Sequence, residues 1–297
     1  MSEHYPEVET VSEWLLAFMV GDAYGAGFEM RPLSFVKENN DGLTYRVHGL
    51  DRNHRPGGTT DDTQMTLAVM KTEFWWRSVD FADEFVAEYK FDPAPGYGGR
   101  MRAVLPEAAR SVTPGLDLMA RCREGIETNL KDTCGAAMRA IPVGLISPFT
   151  GEKKFAGYHV MTAAIAQARA THHHPDSIDA AVAVALAAYN GTRTGLTTTM
   201  SHLGWADPRF WDPVQWRVGS TSGRMIVEAA FGLLLRHETL HELLVQAVAL
   251  GGDVDTLAAL CLGLGSLLGK TNDLPSKLTD ELIRPPGLSR APTRKFP

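Results

Sequence analysis

The chain has 297 residues, 44% of them apolar, and a formal net charge of −6. No run approaches the roughly 18 uninterrupted apolar residues of a membrane span, and the acidic balance argues against nucleic acid, whose phosphates want basic surface. Cys122, Cys134 and Cys261 are odd in number and far apart, so they read as reduced thiols of a cytoplasmic protein, with Cys261 in the core. The opening MSEHYPEVET is polar and acidic, unlike a signal peptide.

In chain order, 11–20 (VSEWLLAFMV) is apolar around most of a helix, and 64–76 spaces its apolar groups by threes and fours. The same periodicity predicts helices over 103–110, 115–127, 158–170, 178–189, 224–236, 240–250 and 256–268. Alanine-rich AAVAVALAA (180–188) favours helix and close packing. No strand run bounded by hairpin turns is found. The expectation is an all-α, bundle-like domain spanning 1–297, with its core over about 11–283. Residues 38–59, 92–100 and 204–216 read as loops, the last held by its tryptophans. The proline-rich tail 284–297 reads as a poorly ordered end.

Two short stretches carry the chemistry. GGTTDDT (57–63) and GGDVDT (251–256) each run from paired glycines through aspartates to a threonine and into an apolar helix. Thr60 suits an N-cap, and the macrodipole favours aspartate in a first helical turn. Capping alone does not explain two such clusters. Asp61, Asp62, Asp253 and Asp255, brought together, would repel one another and partly neutralise. Magnesium, manganese or calcium would relieve that conflict, since hard cations prefer carboxylate and hydroxyl oxygen. The glycines let the backbone bend tightly and approach a ligand.

GDAYGAGFE (21–29), GGTTDDT (57–63), GYGGR (96–100), CGAAMRAIPVG (134–144), THHHP (171–175) and GGDVDT (251–256) follow one another in an order that resembles the ADP-ribosylglycohydrolases, over nearly the whole chain. The resemblance implies an all-α fold and a centre of two divalent ions, Mg²⁺ or Mn²⁺, ligated by Thr60, Asp61, Asp62, Asp253, Asp255 and Thr256. It implies hydrolysis of the C1″ bond between ADP-ribose and a modified side chain, with Asp62 or Glu29 taking a proton. Gly96, Gly98, Gly135, Met138, His172 and His174 fall on segments that line the substrate cleft, and His173 is expected to face elsewhere. The implied partner is an ADP-ribosylated protein or an ADP-ribose-containing small molecule. This chain departs from the pattern in three places. Pro95 precedes Gly96 where the arginine-specific prototype has an acid, Cys134 replaces a frequent asparagine, and STSGRMI (220–226) lacks a stacking tyrosine. Arg224 is left to stack, pair with phosphate or face solvent.

Other readings compete. A relative that binds ADP-ribose without turning it over, or a hydrolase of another N- or O-glycoside, would share these motifs. His237-Glu238-Thr239-Leu240-His241 spells the H-E-x-x-H of zinc proteases. However, Thr239 to Glu242 is a capping box, which starts a helix at 239 instead of carrying one through.

Overall fold

The computed structural model describes residues 12–73, 75–124, 130–145 and 156–290. Among them are fourteen α-helices: α1 (Glu13–Ala26), α2 (Leu33–Asn39), α3 (Asp61–Lys71), α4 (Ser78–Phe91), α5 (Gly99–Ala108), α6 (Pro114–Arg123), α7 (Ile141–Leu145), α8 (Ala156–Arg169), α9 (Pro175–Asn190), α10 (Arg193–His202), α11 (Gly223–Arg236), α12 (Leu240–Ala249), α13 (Val254–Leu267) and α14 (Ser276–Asp280). The only β pairings among the described residues are the isolated bridges Gly58–Ile283 and Thr239–Thr271, so the all-α expectation holds. No described helix is long and apolar enough to cross a membrane.

α1 and α13 form the centre. Both are buried around nearly their whole circumference, as their sequences EWLLAFMVGDAYGA and VDTLAALCLGLGSL require. They pack closely because α1 presents glycine at the crossing. A Cβ at Gly21 would stand 2.5 Å from the Ala258 carbonyl oxygen, and one at Gly25 would stand 2.5 Å from the Val254 carbonyl oxygen. Only a residue without a side chain permits that approach. α12 and α11 pack on α13, the alanine-rich α9 packs on α7, α8 and α11, and α4 bridges α3 and α6.

Several boundaries differ from the sequence expectation. α1 runs past the predicted 11–20 to Ala26, through Gly21 and Gly25, because tertiary packing outweighs the weak helix propensity of glycine. α3 begins earlier than predicted, at Asp61, and stops at Lys71. α4 and α10 went unpredicted, although Phe81, Phe85 and Val86 mark a buried face of α4 at helical spacing. α5 begins at Gly99, inside the stretch read as loop. Of the predicted helix 115–127, residues 125–127 lie outside the described residues. Within the predicted tail, Pro286–Arg290 forms a 3₁₀ turn, and 291–297 lie outside the described residues. The loop over 204–216 is held as expected. Trp205, Trp211 and Trp216 are buried, and Trp216 donates from Nε1 to the Gly251 carbonyl at 3.0 Å.

Replacing Gly21 with alanine should lower the unfolding free energy by about 1–3 kcal/mol through overpacking, although alanine alone would favour the helix by about 1 kcal/mol. The atoms that a Cβ would meet are all backbone and cannot rotate away. Urea unfolding of Gly21→Ala checks this; unchanged or higher stability would contradict the close crossing.

Candidate functional site

The two acidic clusters are both helix starts. Thr60 is the N-cap of α3, its Oγ1 accepting from the Asp62 amide at 3.3 Å, and Asp61 and Asp62 occupy the first turn, where the macrodipole favours them. Asp253 is the N-cap of α13 but makes no capping hydrogen bond with its side chain, and the Thr256 amide donates to Asp255 Oδ1 at 3.0 Å. Gly251 and Gly252, with φ of +68° and +89°, turn the chain into α13 in a left-handed conformation suited to glycine. They pack against Leu33 and Gly219, so their use is to seat the turn on its neighbours.

Both helix starts open on one cavity of about 520 Å³, within the roughly 300–1,000 Å³ of ligand pockets. Its wall includes Glu29, Asp61, Asp62, Asp253, Asp255 and Thr256, drawn from segments roughly 190 residues apart. Gly96, Gly98, Gly135, Met138 and His172 also line it. A Cβ on Gly96 would overlap Asp61 Oδ1, so this glycine lets the 93–98 loop close over α3. Thr60 and His174 are not in the wall. Thr60 lies behind it. His174 is the N-cap of α9, its Nδ1 accepting from the Asp176 amide at 3.1 Å. Pro175 at the first helical position sets the helix start there, and His173 faces the cavity in place of His174.

Asp22, which the sequence motifs do not single out, organises this region. It is fully buried and accepts from Thr60 N at 3.0 Å, Thr60 Oγ1 at 2.7 Å, Thr63 N at 3.1 Å and Thr63 Oγ1 at 2.5 Å. It therefore clamps the start of α3 onto α1. Its signal was available: an aspartate in the middle of an otherwise apolar helix.

Glu29 follows α1 and precedes Met30, whose φ of +53° is left-handed, a strained conformation for a side-chain-bearing residue. The Met30 amide donates to the Gly252 carbonyl at 2.9 Å, tying this turn to the second cluster. Single atoms of Glu29, His48 and Asp255 lie within 4.8 Å of one another, a grouping that could hold a cation. The histidine argues against its own part in one. His48 Nδ1 accepts from the Leu50 amide at 2.9 Å and the Asp51 amide at 3.1 Å, so the neutral ring carries its proton on Nε2. That N–H lies 3.5 Å from Glu29 Oε2. Burial first, then His54 alongside, pushes His48 down to about 4, so the ring stays neutral. His48 thus turns a neutral N–H toward Glu29 without closing a hydrogen bond to it.

A comparable relay sets His172. Arg139 is buried, stacks at 4.0 Å over Phe85 and donates to Gln167 Oε1 and Thr171 Oγ1. Thr171 Oγ1, which accepts from Arg139, also meets His172 Nδ1 at 2.7 Å and so fixes the ring's orientation. His172 Nε2 stands beside Gly135 at the cavity wall. Burial and Arg139 push His172 down to about 3, so the ring stays neutral there.

The remaining candidates are otherwise engaged. Arg224 pairs with Glu228 at 2.9 Å and sits 5.1 Å over Trp205. α11 ends before His237, and Thr239 caps α12, as the capping box predicted. The two histidines of H-E-x-x-H therefore do not share a helical face. His241 Nε2 meets the Gly42 carbonyl at 3.2 Å.

The profile of the family described as ADP-ribosylglycohydrolase matches residues 7–293. The chain belongs to the ADP-ribosylglycohydrolase family. An uncharacterised protein of Archaeoglobus fulgidus is 24% identical to this ADP-ribosylglycohydrolase family member, the alignment covering 83% of each chain. A solved structure described as an ADP-ribosylglycohydrolase-related protein complex shares the fold, with a TM-score of 0.61 and 21% identity over 94% of this chain and 96% of that one.

The donor set fits the divalent cations expected of this family. Asp62 Oδ1 and Glu29 Oε2 are buried without a hydrogen-bond partner. Among the described residues, no lysine or arginine forms an ion pair with Asp61, Asp62, Asp253 or Asp255. Burial, reinforced by the neighbouring acids, raises the carboxyls of Asp61, Asp62 and Asp255 well above their ordinary range. Burial first, then Asp253 and Asp22, raises Glu29 from 4.5 to about 8. Each group binds its proton more tightly folded than unfolded. These carboxyls' contribution to the cation-free protein is therefore full in acid and lost as pH rises, for Glu29 from 4.5 to about 8, while His48 and His172, held neutral, work the other way below 6.5, so the net fall is read in the window from 6.5 to about 8. Thermal melts in chelator across that window, repeated with Mg²⁺ or Mn²⁺, test this. Stabilisation by the ion should grow toward the alkaline end, and a flat profile in chelator would contradict the assignment.

Proposed function

We propose that this protein is a metal-dependent hydrolase that releases ADP-ribose by cleaving the C1″ glycosidic bond to a modified protein side chain. The observation that carries the reading is the meeting of Asp61 and Asp62 with Asp253, Asp255 and Thr256 at the wall of one cavity. Those residues, with Thr60 from behind, would hold two divalent ions, Mg²⁺ or Mn²⁺. The ions, when bound, would neutralise the carboxylates and fix the ribose hydroxyls.

The chain's own groups then divide the work. Glu29 accepts the proton of the attacking water, its carboxylate standing on the cavity wall beside Asp255 with Oε2 outside any hydrogen bond. Asp62, whose Oδ1 is equally unpartnered, completes the acidic floor. Water adds to C1″, and the bond to the side-chain nitrogen or oxygen breaks with its electron pair. The leaving atom takes a proton in turn. Toward the mouth, Arg100 and Lys131 are exposed on the cavity wall and suit a diphosphate, while His172 presents Nε2 to a polar group of the nucleotide.

Two measurements test the reading. Asp255→Ala should reduce ADP-ribose release from a panel of ADP-ribosylated peptides by at least about a thousandfold while the circular dichroism spectrum is kept. Binding of ADP-ribose by the parent protein with no turnover of any panel member, with either ion, would favour a binding protein instead. The second measurement concerns His48. His48→Gln keeps an N–H near the Nε2 position, whereas His48→Asn keeps only an acceptor near Nδ1. If His48 orients Glu29, the asparagine variant should lose about tenfold in kcat with KM little changed, and the glutamine variant should recover most of that. Equal losses in both would reduce His48 to loop support.

A further inference from the structure

The acidic cluster contains one atom unlike the rest. Cys134 lines the cavity, its thiol donates to Asp253 Oδ2 at 3.0 Å, and its Sγ lies 3.9 Å from Thr256 Oγ1. The backbone holds it there. The Cys134 amide donates to the Thr221 carbonyl at 2.8 Å and opens the 3₁₀ turn Cys134–Ala136. Two residues earlier, Asp132 accepts from Ser177 Oγ and from the Gly223 amide, each at 3.0 Å, fixing the approach to this turn.

The sulfur stands among atoms assigned to the centre. A sulfur and an oxygen on one cation, at ordinary bond lengths, stand about 3.1 Å apart at a right angle and about 3.6 Å apart at a tetrahedral angle. The Asp253 separation of 3.0 Å, now a thiol hydrogen bond, is close to the first value, and Thr256 at 3.9 Å lies somewhat beyond the second, so small movements would let one ion replace the thiol proton. An independent feature also points to a ligand here: Asp62, 2% exposed, borders the same cavity with Oδ1 unpartnered. Neither of the other cysteines is so placed. Cys122 also borders the cavity, but its sulfur lies against Met101 Sδ at 3.9 Å, and Cys261 is sealed within α13.

We propose that Cys134 is a sulfur ligand of this centre and gives it a preference for borderline and soft divalent ions such as Zn²⁺, Co²⁺ and Cd²⁺ over Mg²⁺. The inference rests on the metal-centre reading above. An all-oxygen set shows this preference more weakly, above all toward Cd²⁺, because thiolate is the soft donor. As the sulfur–metal bond forms, the thiol proton passes to solvent, and nothing is oxidised or reduced.

The test is a Co²⁺ titration of the full chain stripped of cations. Wild-type protein should show visible d–d bands and a near-ultraviolet sulfur-to-cobalt charge-transfer band. Cys134→Ser and Cys134→Ala should each lose the near-ultraviolet band and keep the d–d bands, while Cys122→Ser keeps both. Cd²⁺ binding should weaken by about tenfold or more in Cys134→Ser, with Mn²⁺ binding changed by less than about threefold. Visible bands without charge transfer in the wild-type protein would overturn sulfur ligation and leave an oxygen centre intact. No cobalt uptake at all would overturn both. The wild-type spectrum separates these outcomes even if the variants fail to fold.

Discussion

Like charges confined in a dry pocket are the constraint on which this structure turns. Two unit charges 4 Å apart repel by about 4 kcal/mol at an effective dielectric constant of 20, and a whole domain is stable by only about 5–15 kcal/mol. Five carboxylates border one cavity here, without a lysine or arginine paired to the four aspartates among the described residues. A bare, fully ionised cluster would cancel much of the fold's stability. The site must either hold protons or hold cations, and the pH at which it chooses is set by burial. Asp22 shows a third solution: it is satisfied by two amides and two hydroxyls at the start of α3. The carboxylates on the wall lack such a set of donors.

Bringing the charges together falls to the least polar part of the chain. α1 and α13 pack through Gly21 and Gly25 so closely that the backbone of one meets the backbone of the other. That crossing puts Asp22 beside the start of α3 and Glu29 beside the start of α13. The Met30–Gly252 hydrogen bond and the Trp216–Gly251 hydrogen bond then hold the second glycine turn from two sides. A motif such as GDAYGAGFE therefore serves packing with its glycines and the site with its acids.

Much of this was legible in the sequence, and the misses have physical reasons. Long amphipathic segments such as α9 and α11 announced themselves by period, and both helix-start aspartate clusters were visible, the first with its Thr60 cap. That the clusters meet could not be read, because nothing local encodes a contact across roughly 190 residues; only the order of motifs pointed to it. α4 escapes a reading by period although Phe81 and Phe85 lie four apart, because its acidic residues mask the stripe. The motif pattern puts His174 in the cleft and His173 away from it. The chain reverses them because Pro175 fixes where α9 begins, and with it which imidazole becomes the cap.

The residues that escaped the sequence reading share a mode of action. Asp22, His48 and Thr171 act on the site through another group: Asp22 through Thr60 and Thr63, His48 through Glu29, Thr171 through His172. Asp22 and Thr171 stand inside two of the ordered motifs, GDAYGAGFE and THHHP, but their side chains bond to other residues of the site, so the motif alone does not tell their part. His48 lies outside every motif. His48 lies in a loop without regular period, and its meaning appears only when two amides are seen pointing at Nδ1. One imidazole in this protein thus turns a neutral N–H toward a carboxylate, and another, oriented by an arginine and a threonine, stands neutral at the cavity wall. Both rings are oriented by hydrogen bonds made at Nδ1, away from the site.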